Sequence, residues 1–149
     1  MLVALDIDTR VPLVVDLDGT LTDPKEGIIR SVCYAIEKMG MQPPAPESLE
    51  WMIGPPLQGG LAMILRTDDP EVSAECLRHY RERFSDTGLF ENFVYPGVPD
   101  MLESLHGLGM KLYVATSKPA LYAERILEHF GSRFGDQIWT ASAKLGPTA

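Results

Sequence analysis

The sequence predicts a parallel α/β sheet with an inserted helical subdomain, on three observations. Short apolar, β-branched runs end in polar clusters at 16–20 and 116–118. Amphipathic segments of helical period separate those runs. Residues 23–92 carry helical periodicity only, too long a stretch for a simple crossover between parallel strands.

Residues 12–20 read as a buried parallel strand followed by a tight loop, since Leu13, Val14 and Val15 precede Asp16, Asp18 and Gly19. Ile28, Ile29, Val32, Cys33, Ile36 and Met39 then fall at helical spacing. A connector, Pro43-Pro44-Ala45-Pro46, leads to one or two helical turns over 47–52, stopped by Gly54-Pro55-Pro56. Leu57, Leu61, Ile64 and Leu65 predict a short helix. Val72, Cys76, Leu77, Tyr80 and Phe84 predict another. Val98, Met101, Leu102, Leu105 and Leu108 form a stripe closed by Gly107 and Gly109. Residues 111–116 read as a second strand, and Pro119 suits the first turn of the following helix. That helix presents Ala123, Ile126, Leu127 and Phe130, and residues 137–141 read as a weak third strand.

Composition narrows the function classes. Of 149 residues, 45% are hydrophobic and 23% charged, as in ordinary globular domains. Thirteen basic against 21 acidic residues give a net charge of -8, a sign that repels a phosphate backbone and argues against nucleic acid. Cys33 and Cys76 lie far apart in helical patterns and read as buried, reduced thiols, which suits a cytoplasmic protein. The N-terminus lacks the basic and apolar regions of a signal peptide, and no stretch is long enough to span a membrane. His79, His106 and His129 lack metal-ligand spacing, Trp51 and Trp139 read as core anchors, and Lys25 and Arg66 as solvated helix residues.

The chemistry concentrates at two strand ends, where ligands bind in open α/β sheets. Asp16 and Asp18 would repel one another unless a cation lies between them or one takes a proton. A hard ion such as Mg²⁺ suits a few carboxylates completed by phosphate oxygens and water. Gly19 allows a sharp turn beside a ligand. Thr116-Ser117-Lys118 ahead of a helix start supplies hydroxyls and free N–H groups for an anion. Each cluster alone is a weak signal. Their order on consecutive strands, with a helical insert between, is much more specific.

Residues 15–23, Val-Asp-Leu-Asp-Gly-Thr-Leu-Thr-Asp, resemble the first motif of haloacid dehalogenase-type phosphatases. Val114-Ala115-Thr116-Ser117-Lys118-Pro119 resembles the second, and Ile53-Gly54-Pro55-Pro56-Leu57 resembles a loop of the phosphoglycolate-phosphatase-like branch that lies over the active site. The resemblance runs from about Pro12 to Ser142. It implies a Rossmann-like core from residues 1–22 and 93–149, and a C1-type helical cap over 23–92. It implies Mg²⁺-dependent hydrolysis of a small phosphorylated metabolite. Asp16 would be the nucleophile and Asp18 the general acid and base. The Asp16 carboxylate and the Asp18 carbonyl would bind the metal. Gly19, Thr20, Thr116, Ser117 and Lys118 would contact phosphate, and Gly54, Pro55 and Pro56 the substrate from the cap. A nucleotide phosphatase or phosphonatase of the same superfamily is the alternative.

The family also needs a lysine beside the nucleophile and an acidic motif after a later strand. Lys144 is the one candidate for the first, and Asp136 reads as a turn residue rather than the second. Asp6-Ile7-Asp8-Thr9 is a decoy of the first motif, lacking its glycine. The expectation is a C-terminally truncated sheet, with residues 13–15 on an open edge that another copy could cover. Such a chain could be inactive, or serve as a non-catalytic module.

Overall fold

A computed structural model describes Asp8, residues 10–131 and the backbone of residues 138–140. The third strand falls within the last segment; Asp6, Asp136, Ser142 and Lys144 lie outside the described residues. The chain forms two compact units, one drawn from residues up to Thr22 and from Val94 onward, the other Asp23–Phe93.

In the first unit, β1 (Leu13–Val15), β4 (Leu112–Val114) and β5 (Ile138–Thr140) make a parallel sheet in the order β1-β4-β5. Leu13, Val14 and Val15 pair with Leu112, Tyr113 and Val114. Among the described residues β1 is an edge strand, and its Val14 is 58% exposed. Helices α4 (Val98–Gly107) and α5 (Ala120–His129) flank β4 in sequence, as a parallel connection requires. Val98, Leu102, Met110, Leu112, Val114, Ala123, Ile126 and Phe130 are buried, with Leu17 and Leu21 from the turn after β1. Leu105 and Leu127, on the predicted stripes, are half-buried.

The second unit is built on α1 (Lys25–Lys38), α2 (Leu57–Leu65) and α3 (Pro70–Asp86), with 3₁₀ turns at Pro46–Met52 and Gly88–Phe90. α3 packs on both α1 and α2. Its start is fixed by the Asp69 side chain, which accepts from the Glu71 N–H at 2.8 Å, and by Pro70 in the first turn. Ile28, Ile29, Val32, Ala35 and Ile36 of α1 are buried, as are Cys76, Tyr80 and Phe84 of α3. Gly27 is required for this packing: a Cβ there would lie 1.9 Å from the Gly88 carbonyl oxygen. The Arg83 guanidinium forks onto Glu91 at 2.8 and 3.0 Å, and Arg30 adds a contact to Glu91 at 2.9 Å.

Two expectations need correction, and two short strands were not expected. Strands β2 (Thr22–Asp23) and β3 (Phe93–Val94) pair at the bounds of the helical insert. Two-residue strands carry no periodicity to read. Trp51 is not a core anchor: it is 45% exposed, while Leu49 and Met52 of the same turn are buried. Pro119 does not lie inside the following helix but caps it, with Ala120 the first helical residue.

Candidate active site

β1 stops at Val15, whose carbonyl accepts from the Ala115 N–H at 2.9 Å, so the two polar clusters leave the sheet from adjacent strand ends. Beyond Val15 the backbone does not continue as a strand. The buried Leu17 carbonyl accepts from the N–H groups of Thr20, Leu21 and Thr22 at 3.3, 2.9 and 3.0 Å. Gly19, at φ +79°, donates to the Thr22 carbonyl at 2.7 Å. That left-handed conformation favours glycine, which explains Gly19 at the apex. Asp16 is exposed, and its Oδ1 accepts from the Leu17 N–H at 2.7 Å.

Asp18 sits deeper in the loop. Its Oδ2 lies 2.9 Å from Lys118 Nζ, and the Lys118 side chain is only 8% exposed. The Asp18 Oδ1 is buried without a hydrogen-bond partner among the described residues. Burial pushes the Asp18 carboxyl above the ordinary range; Lys118 opposes that shift and the negative charge of Asp16 reinforces it. The Lys118 N–H donates to Thr116 Oγ1 at 3.2 Å, which sets the turn before α5. Ser117 is exposed and Thr116 half-buried. The lysine expected to meet phosphate thus pairs with a carboxylate. Sequence reasoning missed this pairing, because residues 100 positions apart show no periodicity that would join them.

The Asp16 carboxylate and the Asp18 carbonyl would suit an Mg²⁺ ion whose other ligands are water and phosphate oxygens. The buried, unpartnered Asp18 Oδ1 marks a loop with acceptor capacity to spare. Among the described residues no group of three or more His, Cys, Asp or Glu could hold a metal by itself.

In the second unit Gly54 has φ +105°, and Pro56 precedes the first turn of α2, so the Gly54-Pro55-Pro56 loop is a stiff, exposed turn. The same unit holds a cavity of about 760 Å³ walled by Ile29, Cys33, Tyr34, Pro46 and Phe93. Its charged lining is largely paired: Lys25 with Glu50, Arg30 with Glu26 and Glu91, Arg83 with Glu91. Arg66 is exposed at the left-handed end of α2.

The family model that matches residues 13–144 is that of haloacid dehalogenase-like hydrolases. The chain belongs to that family. A 5'-nucleotidase of Pseudomonas aeruginosa is 48% identical to this haloacid dehalogenase-like chain over 126 residues, which are 84% of this chain and 57% of the relative. A phosphoglycolate phosphatase of Agrobacterium fabrum is 32% identical over 127 residues, 78% of this chain and 52% of the relative. The crystal structure of a predicted phosphatase from Clostridium acetobutylicum aligns with a TM-score of 0.71 at 41% identity, covering 87% of this chain and 60% of that one. The chain spans little more than half the length of these curated relatives. Among the described residues no helix is long and apolar enough to cross a membrane.

Proposed function

We propose that this chain carries the nucleophile and general acid of an Mg²⁺-dependent phosphomonoester hydrolase that acts through an aspartyl-phosphate. The single observation behind the reading is the 2.9 Å contact between Asp18 and Lys118, which joins the two clusters at adjacent strand ends. In the first step an Asp16 carboxylate oxygen attacks phosphorus and the ester oxygen leaves. Asp18 donates a proton to that oxygen, releasing an alcohol. A carboxyl raised by burial is suited to hold that proton. In the second step Asp18 takes a proton from water as it attacks the same phosphorus. Inorganic phosphate leaves and Asp16 returns as a carboxylate. Thr116, the Ser117 N–H, Gly19 and Thr20 bind phosphoryl oxygens. Held by the Asp16 carboxylate and the Asp18 carbonyl, Mg²⁺ would supply charge neutralisation to the phosphoryl group.

The substrate is a small phosphorylated metabolite. The branch resemblance of the Gly54-Pro55-Pro56 loop favours phosphoglycolate-like esters, with residues 23–92 as the cap that selects substrate. The 48% identity to a 5'-nucleotidase favours a nucleoside 5'-monophosphate as a second reading. Both cysteines are free thiols, which suits a reducing, cytoplasmic setting. The edge of β1 that has no partner among the described residues is where a second copy would add a strand.

The deciding assay incubates the 149-residue chain and its Asp16→Asn variant with Mg²⁺ and, separately, 2-phosphoglycolate and a nucleoside 5'-monophosphate. The reading expects phosphate release from the wild-type chain alone. Equal background release from both proteins on both substrates would leave a non-catalytic module as the account of this chain.

A further inference from the structure

We propose that Lys118 is a positioning residue for Asp18, tethering one carboxylate oxygen and so holding the carboxyl in the orientation from which it exchanges a proton with the ester oxygen. The inference rests on the phosphatase reading above for its consequence in turnover, but on geometry for the tether itself. The Lys118 ammonium is 2.9 Å from Asp18 Oδ2, and its side chain is 8% exposed. Asp18 Oδ1 is buried and has no hydrogen-bond partner among the described residues. The two oxygens of one carboxylate are therefore unequal: one is fixed by a charge-assisted contact and one is buried with no partner among the described residues.

Both ends of the tether are held. Asp18 is fixed by the turn in which Gly19 and Thr22 close on one another, and by the bridge between Asp18 and Thr22. Lys118 follows a turn set by its own N–H on Thr116 Oγ1 at 3.2 Å, one residue before the Pro119 that caps α5. A lysine whose charge is matched by a buried carboxylate offers less to a phosphate dianion than a free one. The geometry therefore favours orientation of the proton carrier over direct phosphate binding. Arg would reach the same oxygen, but with a planar head in place of a compact ammonium.

Leaving-group dependence separates the two roles. An alkyl phosphate needs a proton on its departing oxygen, whereas 2,4-dinitrophenolate departs without one. The comparison uses kcat/KM, which ends at the first phosphoryl transfer and omits the hydrolysis step that both substrates share. Lys118→Met is expected to lower kcat/KM about 100-fold on the alkyl ester and less than about 3-fold on the dinitrophenyl ester, the range of a misplaced general acid. Lys118→Arg should recover part of the alkyl-ester loss. Equal losses on both esters would overturn the proposal and make Lys118 a phosphate ligand.

A second measurement needs no turnover. Acetic anhydride labelling read by mass spectrometry should modify Lys118 slowly in the wild-type chain and about 10-fold faster in Asp18→Asn, with Lys38 and Lys111 as unchanged internal standards. Equal Lys118 labelling in the two folded proteins would remove the tether, whatever the activity. Absent turnover with the labelling difference intact would instead count against the phosphatase reading of this chain and leave the tether standing.

Discussion

Replacing Gly27 by alanine should destabilise the helical unit strongly. The added Cβ would lie 1.9 Å from the Gly88 carbonyl oxygen, 2.8 Å from its carbonyl carbon and 3.1 Å from the Glu91 oxygen. All three are backbone atoms, so no side chain can swing aside. Helix α1 or the Gly88–Phe90 turn must retreat by about 1 Å, and the Gly27 N–H bond to the Glu91 carbonyl, now 3.0 Å, is lost or stretched. Overpacking of this kind costs about 1–3 kcal/mol, and the hydrogen bond adds about 1 kcal/mol. Alanine's better helix propensity returns about 1 kcal/mol. The net is a loss of about 1–3 kcal/mol, or roughly 2–12 °C in melting temperature for a chain of this size. Gly59→Ala is the control. Gly59 also lies inside a helix of this unit, but nothing stands within 4 Å of its added Cβ, so that variant should gain about 0.5–1 kcal/mol. Urea unfolding followed by far-UV circular dichroism reads both. A Gly27→Ala chain as stable as wild type, with Gly59→Ala indistinguishable from it, would refute the close approach of α1 to Gly88.

Other consequences follow from the same contacts. The Arg83 fork, with help from Arg30, holds the Glu91 carboxyl below the ordinary range. A depressed carboxyl contributes stability above its unfolded pKa, and that contribution is lost as pH falls through the folded value. Glu91→Gln should therefore lower the melting temperature at pH 7, with the gap to wild type narrowing below about pH 4. Cys76 is fully buried and its thiol is pushed up to about 11, chiefly by burial, so a disulfide reagent at pH 7.5 should leave it unlabelled until the chain unfolds. Cys33, half-buried with its thiol raised less, should label first. Fast labelling of Cys76 in the folded chain would contradict its burial.

The long helices were legible because their period repeats along the segment. Ile28, Val32, Ala35 and Ile36 are buried on one face of α1, and Cys76, Tyr80 and Phe84 on α3, as their spacing requires. β1 and β4 were legible from their β-branched runs and the polar residues that stop them. Local pattern failed where a residue's environment comes from distant chain. Trp51 lies outside the core, although tryptophan is usually buried there, because its turn spends Leu49 and Met52 inward. The strict two-residue alternation that would aim Asp16 and Asp18 alike ends with β1 at Val15, since the turn at Gly19 redirects the backbone. Lys118 reads as a phosphate ligand only while its neighbour across the sheet is unknown. Its pairing with Asp18 depends on the β1–β4 register, which no single segment encodes.

The central claim is that the carboxylate turn after β1 and the hydroxyl turn after β4 face one phosphoryl-sized space. Amide NMR of the ¹⁵N-labelled chain, titrated with inorganic phosphate in the presence of Mg²⁺, tests it without requiring turnover. The account predicts that Gly19, Thr20, Thr116, Ser117 and Lys118 shift together along one saturation curve, and that Asp16→Asn weakens the response at both turns alike. Phosphate that moves only one of the two turns, or that moves them with different affinities, would contradict it.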